Sequence, residues 1–310
     1  MEKFIYNRLN SYYNKIYGER TLKICIDGGF TCPNRDGKVG TGGCIFCSSR
    51  GSGDQLAPLP IKTQITNYLN SYKKDRANKF IVYFQNFTST YDTPENLKKK
   101  YFDCLISDRI VGISIATRPD CICKENVAVL KSLQEKTDVY VELGLQTAND
   151  NIGKIINRCY KTQDFINAVK LLNEANIKVI VHIMVGLPNE TQKDILDTIN
   201  LINSLPIHGI KIHSIYVLKN TKLNEMYTKN LYTPITMKNY IYNCGLIIQN
   251  LRPDIVVHRI TADAPRTELV APEWNLHKKV VLNNMTKYFI ENNIYQGKNY
   301  KVKPLTPIDN

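Results

Sequence analysis

The chain has no long apolar run. In its 310 residues, no stretch approaches the ~20 apolar residues that a membrane-spanning helix needs. The first six residues contain no apolar signal core. Internal repeats, low-complexity segments and Pro/Ser-rich linkers are also missing. With a hydrophobic content of 43%, these absences exclude a membrane protein and a disordered protein, and they predict a globular protein.

A secreted disulfide framework is absent as well. The chain has nine cysteines, which is an odd number, and six of them are scattered: Cys25, Cys104, Cys121, Cys123, Cys159 and Cys244. This usage predicts a reducing, cytoplasmic location. The Cys121-Ile122-Cys123 pair has two interpretations that the sequence leaves open, a second metal site and a chance pair.

Acidic residues are too few to balance the basic ones. The chain has 28 Asp and Glu against 41 Lys and Arg, which gives a formal net charge of +13. Such a charge favours nucleic acid or another polyanion as a partner. The chain is also rich in residues with A/T-rich codons, so base composition is an alternative origin of the lysines. The charge therefore supports an RNA partner without establishing one.

Strand-like and helix-like runs alternate along the chain. The predicted strands are Leu22–Ile26, Phe80–Gln85, Val111–Ala116, Val139–Leu145, Val179–Val185 and Ile210–Val217, with a further strand at Ile255–Ile260. The predicted helices are Ile61–Lys73, one that begins at Pro94, Asn126–Glu135, Asp164–Ala175, Thr191–Leu205, Tyr240–Gln249 and Leu276–Glu291. Six successive βα units predict an α/β fold in which a curled parallel sheet carries its chemistry at the C-terminal strand ends.

Three cysteines are grouped after the first predicted strand. Eleven residues separate Cys32 from Cys44, and two separate Cys44 from Cys47, with no histidine nearby. A closed zinc site normally takes four protein ligands, whereas three thiolates on a cubane cluster leave one iron open for a substrate or cofactor. The alternatives are a structural zinc loop and an unligated group of thiols.

At these residues the chain resembles the radical S-adenosylmethionine (SAM) enzymes. The long first gap is similar to that of the Elongator catalytic subunit, and the string Phe30-Thr31-Cys32-Pro33-Asn34-Arg35-Asp36-Gly37 resembles a bacterial branch without the acetyltransferase domain. The resemblance covers roughly residues 4–300 and implies a partial (β/α)6 TIM-like barrel over residues 1–222. A C-terminal α/β extension over residues 223–310 would pack on the barrel. The resemblance further implies a [4Fe–4S] cluster on the three cysteines and SAM on the open iron.

The resemblance also implies which residues contact SAM. The expected residues are Phe46, Gln85, Asn86, Thr117, Arg118, Glu142, Gln146, Arg158, Gly186, Leu187, Pro188 and Leu218. Glu142 would accept the ribose hydroxyls, Arg158 would bind the SAM carboxylate, and Leu218 would border the adenine. Arg118 has an alternative role as a turn residue in a surface salt bridge. The chain departs from the family pattern at Cys159-Tyr160, where relatives carry glycine or alanine and then histidine.

Candidate catalytic residues lie on the sixth strand and in the C-terminal string that follows it. They are His213, His258, Asp263 and Arg266. The string from His258 to Arg266 resembles the same bacterial branch, and we expect it to cover the barrel mouth as part of the substrate pocket. Trp274 has two interpretations, stacking on a base and packing in the core.

The resemblance implies reductive cleavage of SAM to a 5′-deoxyadenosyl radical that abstracts hydrogen from a substrate. Elongator modifies C5 of the wobble uridine of tRNA, and relatives of the bacterial branch remodel carboxymethylaminomethyl-uridine. The expected partners are therefore tRNA and a reductant such as flavodoxin or ferredoxin. Two alternatives are a radical SAM enzyme acting on a small metabolite or protein, and a non-enzymatic RNA-binding protein stabilised by a cluster or zinc. The sequence leaves the oligomeric state open.

Overall fold

The computed structural model describes residues 5–51, 53, 55–71 and 74–301. Its strands are β1 (Thr21–Ile26), β2 (Lys79–Phe84), β3 (Ile110–Thr117), β4 (Asp138–Gln146), β5 (Lys178–Val185), β6 (Gly209–Ser214), β7 (Val217–Leu218), β8 (Val256–Arg259) and β9 (Leu269–Ala271). Its helices are α1 (Leu9–Tyr17), α2 (Ile61–Leu69), α3 (Pro94–Phe102), α4 (Lys124–Gln134), α5 (Asp150–Ile155), α6 (Thr162–Glu174), α7 (Gln192–Ser204), α8 (Lys222–Thr228), α9 (Met237–Asn250) and α10 (Lys278–Glu291).

Within the described residues, seven parallel strands form one curled sheet in the order β1-β2-β3-β4-β5-β6-β8. All six predicted barrel strands lie in it, and the predicted partial barrel is confirmed. The outer face of the sheet packs on the helices through the main apolar core. One boundary differs, because the sixth strand ends at Ser214, whereas Val217 and Leu218 form β7, which pairs antiparallel with β9.

The predicted C-terminal extension contributes to the same sheet. Strand β8 pairs parallel with β6, with Gly209 opposite Val256 and Lys211 opposite Arg259. Helix α9 packs against both α7 and α10. The extension therefore continues the barrel, and its division from the rest at residues 222 and 223 stays a prediction. Among the described residues, no helix combines the length and the apolar character needed to cross a bilayer.

The barrel is closed at the N-terminal ends of its strands. Helix α1 packs on both β1 and β8. Its Tyr13 forms a buried cluster with Ile81, Tyr140 and Ile180, which come from β2, β4 and β5. Side chains alternate along a strand, so these residues and those two positions further along share the inner face. The apolar cluster thus forms the floor of a lumen that opens at the C-terminal strand ends.

Candidate active site

A cavity of about 360 Å³ occupies the lumen above this floor. The three thiols predicted to bind the cluster, those of Cys32, Cys44 and Cys47, all line it. The same walls carry charged and polar side chains from the inner face of the sheet. They are Lys23, Tyr83, Gln85, Thr117, Arg118, Glu142, Gln146, His182, Lys211, His213, His258 and Arg259.

A buried asparagine shapes the cysteine loop. Asn34 is fully buried, and its Nδ2 donates to the carbonyl of Asn157 at 2.6 Å and lies 3.9 Å from Cys44 Sγ. The Gly43 N–H donates to the Asn34 carbonyl at 2.8 Å, and Asn157 Nδ2 donates to the Gly43 carbonyl at 2.8 Å. The loop is therefore fixed to the segment after α5, so that its thiols face the lumen.

The three thiols suit a shared cluster better than a single metal ion. Burial raises the pKa of Cys44, and the nearby thiols of Cys47 and Cys32 raise it further. Thiolate is the form that binds metal, so cationic iron would have to offset the cost of ionising the buried Cys44 thiol. Within the described part of the chain, no three His, Cys, Asp or Glu side chains converge tightly enough to hold a single metal ion. A cubane held by three thiolates, each on a different iron, instead needs thiols spread around a common space.

Glu142 lies at the centre of a buried ionic network in the lumen. Its carboxylate accepts from Lys23 Nζ at 2.5 Å, from Ser114 Oγ at 2.5 Å and from Lys211 Nζ. His182 Nε2 lies 2.6 Å from Oε2, the carboxylate oxygen that Lys211 also contacts. These partners hold the carboxylate in a network within the lumen, and the predicted role of Glu142 as a ribose acceptor stays a prediction.

Competing effects act on the pKa values of this network. Burial alone would raise the pKa of Glu142, but the Lys211 and Lys23 ammonium groups outweigh burial and hold it well below its usual range. Burial lowers the pKa of Lys211 to about 7, although Glu142 acts to raise it. Burial and the lysines lower the pKa of His182 to about 4, so its imidazole is neutral at pH 7.

Arg158 has a structural role. It is fully buried, and all five of its N–H donors are used within the protein. Their acceptors are the carbonyls of Tyr160, Leu145 and Thr147, the Asp150 carboxylate and the Thr162 hydroxyl, at 2.6–3.0 Å. Arg158 therefore ties the end of β4 to the start of α6, and the predicted contact with the SAM carboxylate is contradicted by this geometry.

Replacing Arg158 by alanine should therefore lower the free energy of unfolding by about 3 kcal/mol or more, because buried carbonyls lose their donors. Urea denaturation measures the loss, and Arg20→Ala, which changes an exposed arginine, is the control. A variant as stable as the wild type but with weakened SAM binding would instead restore the predicted contact.

Phe46, Gln146 and Leu218 meet around a small annex of the lumen. This space of about 130 Å³ is also lined by Met184 and Tyr216. Gln146 has a positive φ of 61°, and its Oε1 accepts from the Tyr160 hydroxyl at 2.6 Å. Tyr160, which stands where relatives carry histidine, thereby fixes a wall of the annex.

Gly186, Leu187 and Pro188 lie on a different surface. They line a separate cleft of about 460 Å³ between the β5–α7 loop and residues 231–243. Leu187 is buried in a small core against which Phe46 packs, so it supports the annex from behind. Gly186 has a φ of 95°, and its N–H donates to Glu190 Oε2 at 2.7 Å. The predicted direct role of these three residues at the adenine stays a prediction.

Of the residues predicted to contact SAM at the ends of β2 and β3, three line the lumen and one does not. Gln85, Thr117 and Arg118 line the lumen. Arg118 also forms a bidentate pair with Asp120, at 2.9 and 2.7 Å. Because Arg118 is buried, this pair is not the surface salt bridge of its alternative prediction. Asn86 is buried against Gly53 and is absent from the walls that the described residues form around the lumen.

The candidate catalytic residues are not gathered in one place. His213 and His258 line the lumen. Asp263 is exposed and pairs with Arg259 at 2.7 Å, and Arg266 is exposed as well. Neither Asp263 nor Arg266 belongs to the described lumen walls, so the structure does not support their placement in the pocket.

The structure also bears on Trp274 and on the Cys121–Cys123 pair. Trp274 packs against Tyr240 with ring centroids 5.2 Å apart and donates from Nε1 to the Ile235 carbonyl at 3.1 Å; this agrees with its core-packing interpretation. Cys121 and Cys123 line a cleft of about 580 Å³ beside the cysteine loop. In the described residues, no group suited to a second metal ion forms there.

Comparison with known families identifies the site. The model of the radical SAM superfamily matches residues 35–202, more than half of the chain. This chain belongs to the radical SAM superfamily. The model of the radical SAM C-terminal domain matches residues 207–291. The cofactors of this family are a [4Fe–4S] cluster and SAM, so the cluster interpretation of the cysteines is favoured over zinc.

Individual relatives agree with the predicted Elongator-like branch. The Bacillus subtilis protein YtqA is 37% identical over 94% of this chain and 92% of its own. A tRNA uridine(34) acetyltransferase of Dehalococcoides mccartyi is 30% identical over 51% of this chain, which spans 34% of that enzyme. The structure of Elp3 from Methanocaldococcus infernus superposes with a TM-score of 0.70 at 18% identity, over 89% of this chain and 64% of its own. At that identity the likeness shows the fold alone.

Sequence reasoning missed Lys23 and Lys211. Both are charged residues inside otherwise apolar strands, Thr21–Ile26 and Gly209–Ser214. The same signal singled out Glu142, since an isolated charge in such a strand is costly to bury without a partner. Applied to all strands, it would have singled out Lys23 and Lys211 as well, although not their contact with Glu142.

Proposed function

We propose that this radical SAM enzyme modifies the C5 side chain of the wobble uridine in tRNA, by remodelling a carboxymethylaminomethyl group. The observation that carries the proposal is the similarity to enzymes named as tRNA uridine(34) acetyltransferases. The chain spans only about a third of each of them, so the shared substrate is an inference. The net charge of +13 supports a polyanionic partner.

The residues have distinct roles in this proposal. Cys32, Cys44 and Cys47 hold the cluster at the open end of the lumen. When bound, the cluster and SAM supply the 5′-deoxyadenosyl radical that abstracts hydrogen from the substrate. Phe46 and Leu218 provide apolar walls for the adenosyl group in the annex. The closed floor and narrow lumen exclude bulk water, which is the contribution that a protein makes to cofactor chemistry of this kind.

A charge placed in the annex should weaken SAM binding. Leu218 is almost fully buried there, so Leu218→Asp puts a carboxylate against the expected adenosyl site at a large desolvation cost. We expect the dissociation constant of SAM to rise about tenfold or more, while the iron content is unchanged. Equilibrium binding to the cluster-loaded protein measures this, with the exposed Val270→Asp as the matched control. Unchanged affinity in Leu218→Asp would place SAM elsewhere.

Mass spectrometry of tRNA nucleosides tests the function. Cells without the gene should accumulate the carboxymethylaminomethyl-uridine precursor, and the wild-type gene, but not its Cys44→Ala variant, should restore the product. The purified protein should bind tRNA with an affinity that falls with salt, by about 0.9 in the log–log slope for each phosphate contact. An unchanged nucleoside profile, with binding lost at ~0.15 M salt, would move the enzyme to a small-molecule or protein substrate.

A further inference from the structure

The middle of the lumen carries more positive charge than its one carboxylate balances. Lys23 on β1 and Lys211 on β6 both contact Glu142 on β4. They also lie over the ring of Tyr83, at 4.7 and 4.2 Å from its centroid. The side chain of Lys211 is only 8% exposed. When both lysines are protonated, two ammonium groups face one carboxylate and leave a surplus positive charge in a space where charge is costly, and burial accordingly lowers the pKa of Lys211 to about 7.

Hydrogen-bond donors are also in surplus. Two ammonium groups provide six N–H donors, and the contacts among the described residues account for three: Lys23 to Glu142, Lys23 to Ser114, and Lys211 to Glu142. Nearby, the Nε2 atom of His213 and both ring nitrogens of His258 are buried without a hydrogen-bond partner in the described part of the chain. Such unpaired groups are rare in a finished core, and they line the cavity of about 360 Å³.

We infer that the lumen binds an oxyanion carried by the substrate, held by Lys23 and Lys211 with His213 and His258 as further donors. This inference deepens the proposed function, on which it rests for the identity of the substrate. A carboxylate at the end of a uridine side chain and a phosphate of the RNA backbone share this chemistry. Glu142 is then a positioning residue that keeps the two ammonium groups together and oriented.

Cys25 provides a reporter inside the lumen. Its thiol is exposed yet lines the same cavity as the two lysines. Iodoacetate carries a carboxylate, whereas iodoacetamide is neutral, so their relative rates at one thiol measure the local preference for anions. Cys123, which is exposed outside the lumen, is the internal reference. The measurement uses cluster-loaded protein without SAM, under anaerobic conditions, and mass spectrometry of the two peptides.

The ratio of the iodoacetate rate to the iodoacetamide rate should be about tenfold or more higher at Cys25 than at Cys123. A cleft lined by charges of one sign raises the local concentration of counter-ions by about tenfold or more. Lys211→Met should reduce the ratio to the reference value. Lys23→Met is the second variant, should the first fail to fold, and the exposed Lys279→Met is the control. Equal ratios at both cysteines in the wild type, or a ratio that neither lysine variant changes, would overturn the inference.

Competition distinguishes the two sources of the oxyanion. Slower alkylation of Cys25 in acetate supports a carboxylate, slower alkylation in inorganic phosphate supports a phosphate, and no slowing by either anion contradicts the inference. The result is independent of the tRNA experiment. Anion selectivity at Cys25 with an unchanged nucleoside profile would keep the anion site in the lumen and overturn the wobble-uridine substrate. A changed nucleoside profile without anion selectivity would keep the wobble-uridine substrate and overturn the anion site.

Discussion

Alanine at Cys32, Cys44 or Cys47 is expected to abolish the iron–sulfur cluster. The wild-type protein, reconstituted without oxygen, should bind about four irons and four sulfides, as a single cubane does. The structure places the three thiols on one cavity, and a cluster held by only three protein ligands has none to spare. Each substitution should therefore reduce iron and labile sulfide to the background level and eliminate SAM cleavage. Chemical analysis and absorption spectroscopy measure the first effect.

Two other cysteines provide controls for this experiment. Cys123 is exposed, and Cys159, also exposed, has its Sγ only 2.9 Å from where a Cβ on Gly40 would lie in the cysteine loop. Cys123→Ala and Cys159→Ala should both keep the full cluster. Loss of iron in Cys159→Ala would show that a fourth thiol takes part, and stoichiometric zinc without labile sulfide in the wild type would contradict the cluster altogether.

The fold was largely predictable because the strands carry strong local signals. Short β-branched runs that are apolar on both faces indicate a covered parallel sheet, and all six barrel strands were found. The boundary at Val217 was less predictable, since no glycine or proline interrupts the run from Ile210 to Leu218. A bend after Ser214 sends Val217 to a second sheet, and this depends on pairing with the distant strand β9, which local sequence does not encode.

The site was predictable where spacing alone defines it, as for the three cysteines. It was not predictable where a role depends on partners distant in sequence. Arg158 keeps a family-like position, yet Asp150 and the carbonyls at the end of β4 use all its donors. Glu142 stands out as an isolated charge in its strand, but its partners Lys23 and Lys211 lie 119 and 69 residues away. A sequence pattern identifies a costly charge without showing what compensates it.

Because Glu142 compensates these charges, we expect its substitution to lower the free energy of unfolding more than a substitution elsewhere in the lumen. Glu142→Gln keeps the size of the side chain but removes the counter-charge of Lys23 and Lys211. Removing one member of a buried ionic group typically costs about 3–5 kcal/mol, and we expect a loss of unfolding free energy of that order. Urea denaturation of the apoprotein at pH 7 measures it. Asp263→Asn, which removes an exposed carboxylate paired with Arg259 and Lys278, is the control and should cost about 0–1 kcal/mol.

The pH dependence provides a second measurement on the same variant. The Lys211 and Lys23 ammonium groups depress the pKa of Glu142 in the folded protein, against the opposing effect of burial. A carboxylate with a depressed pKa contributes stability above its unfolded pKa of about 4.3, and that contribution is lost as pH falls through the folded value. The stability difference between the wild type and Glu142→Gln should therefore be full at pH 7 and shrink below about pH 4. A difference that is small at pH 7, or that grows on acidification, would show that Glu142 does not balance the two lysines.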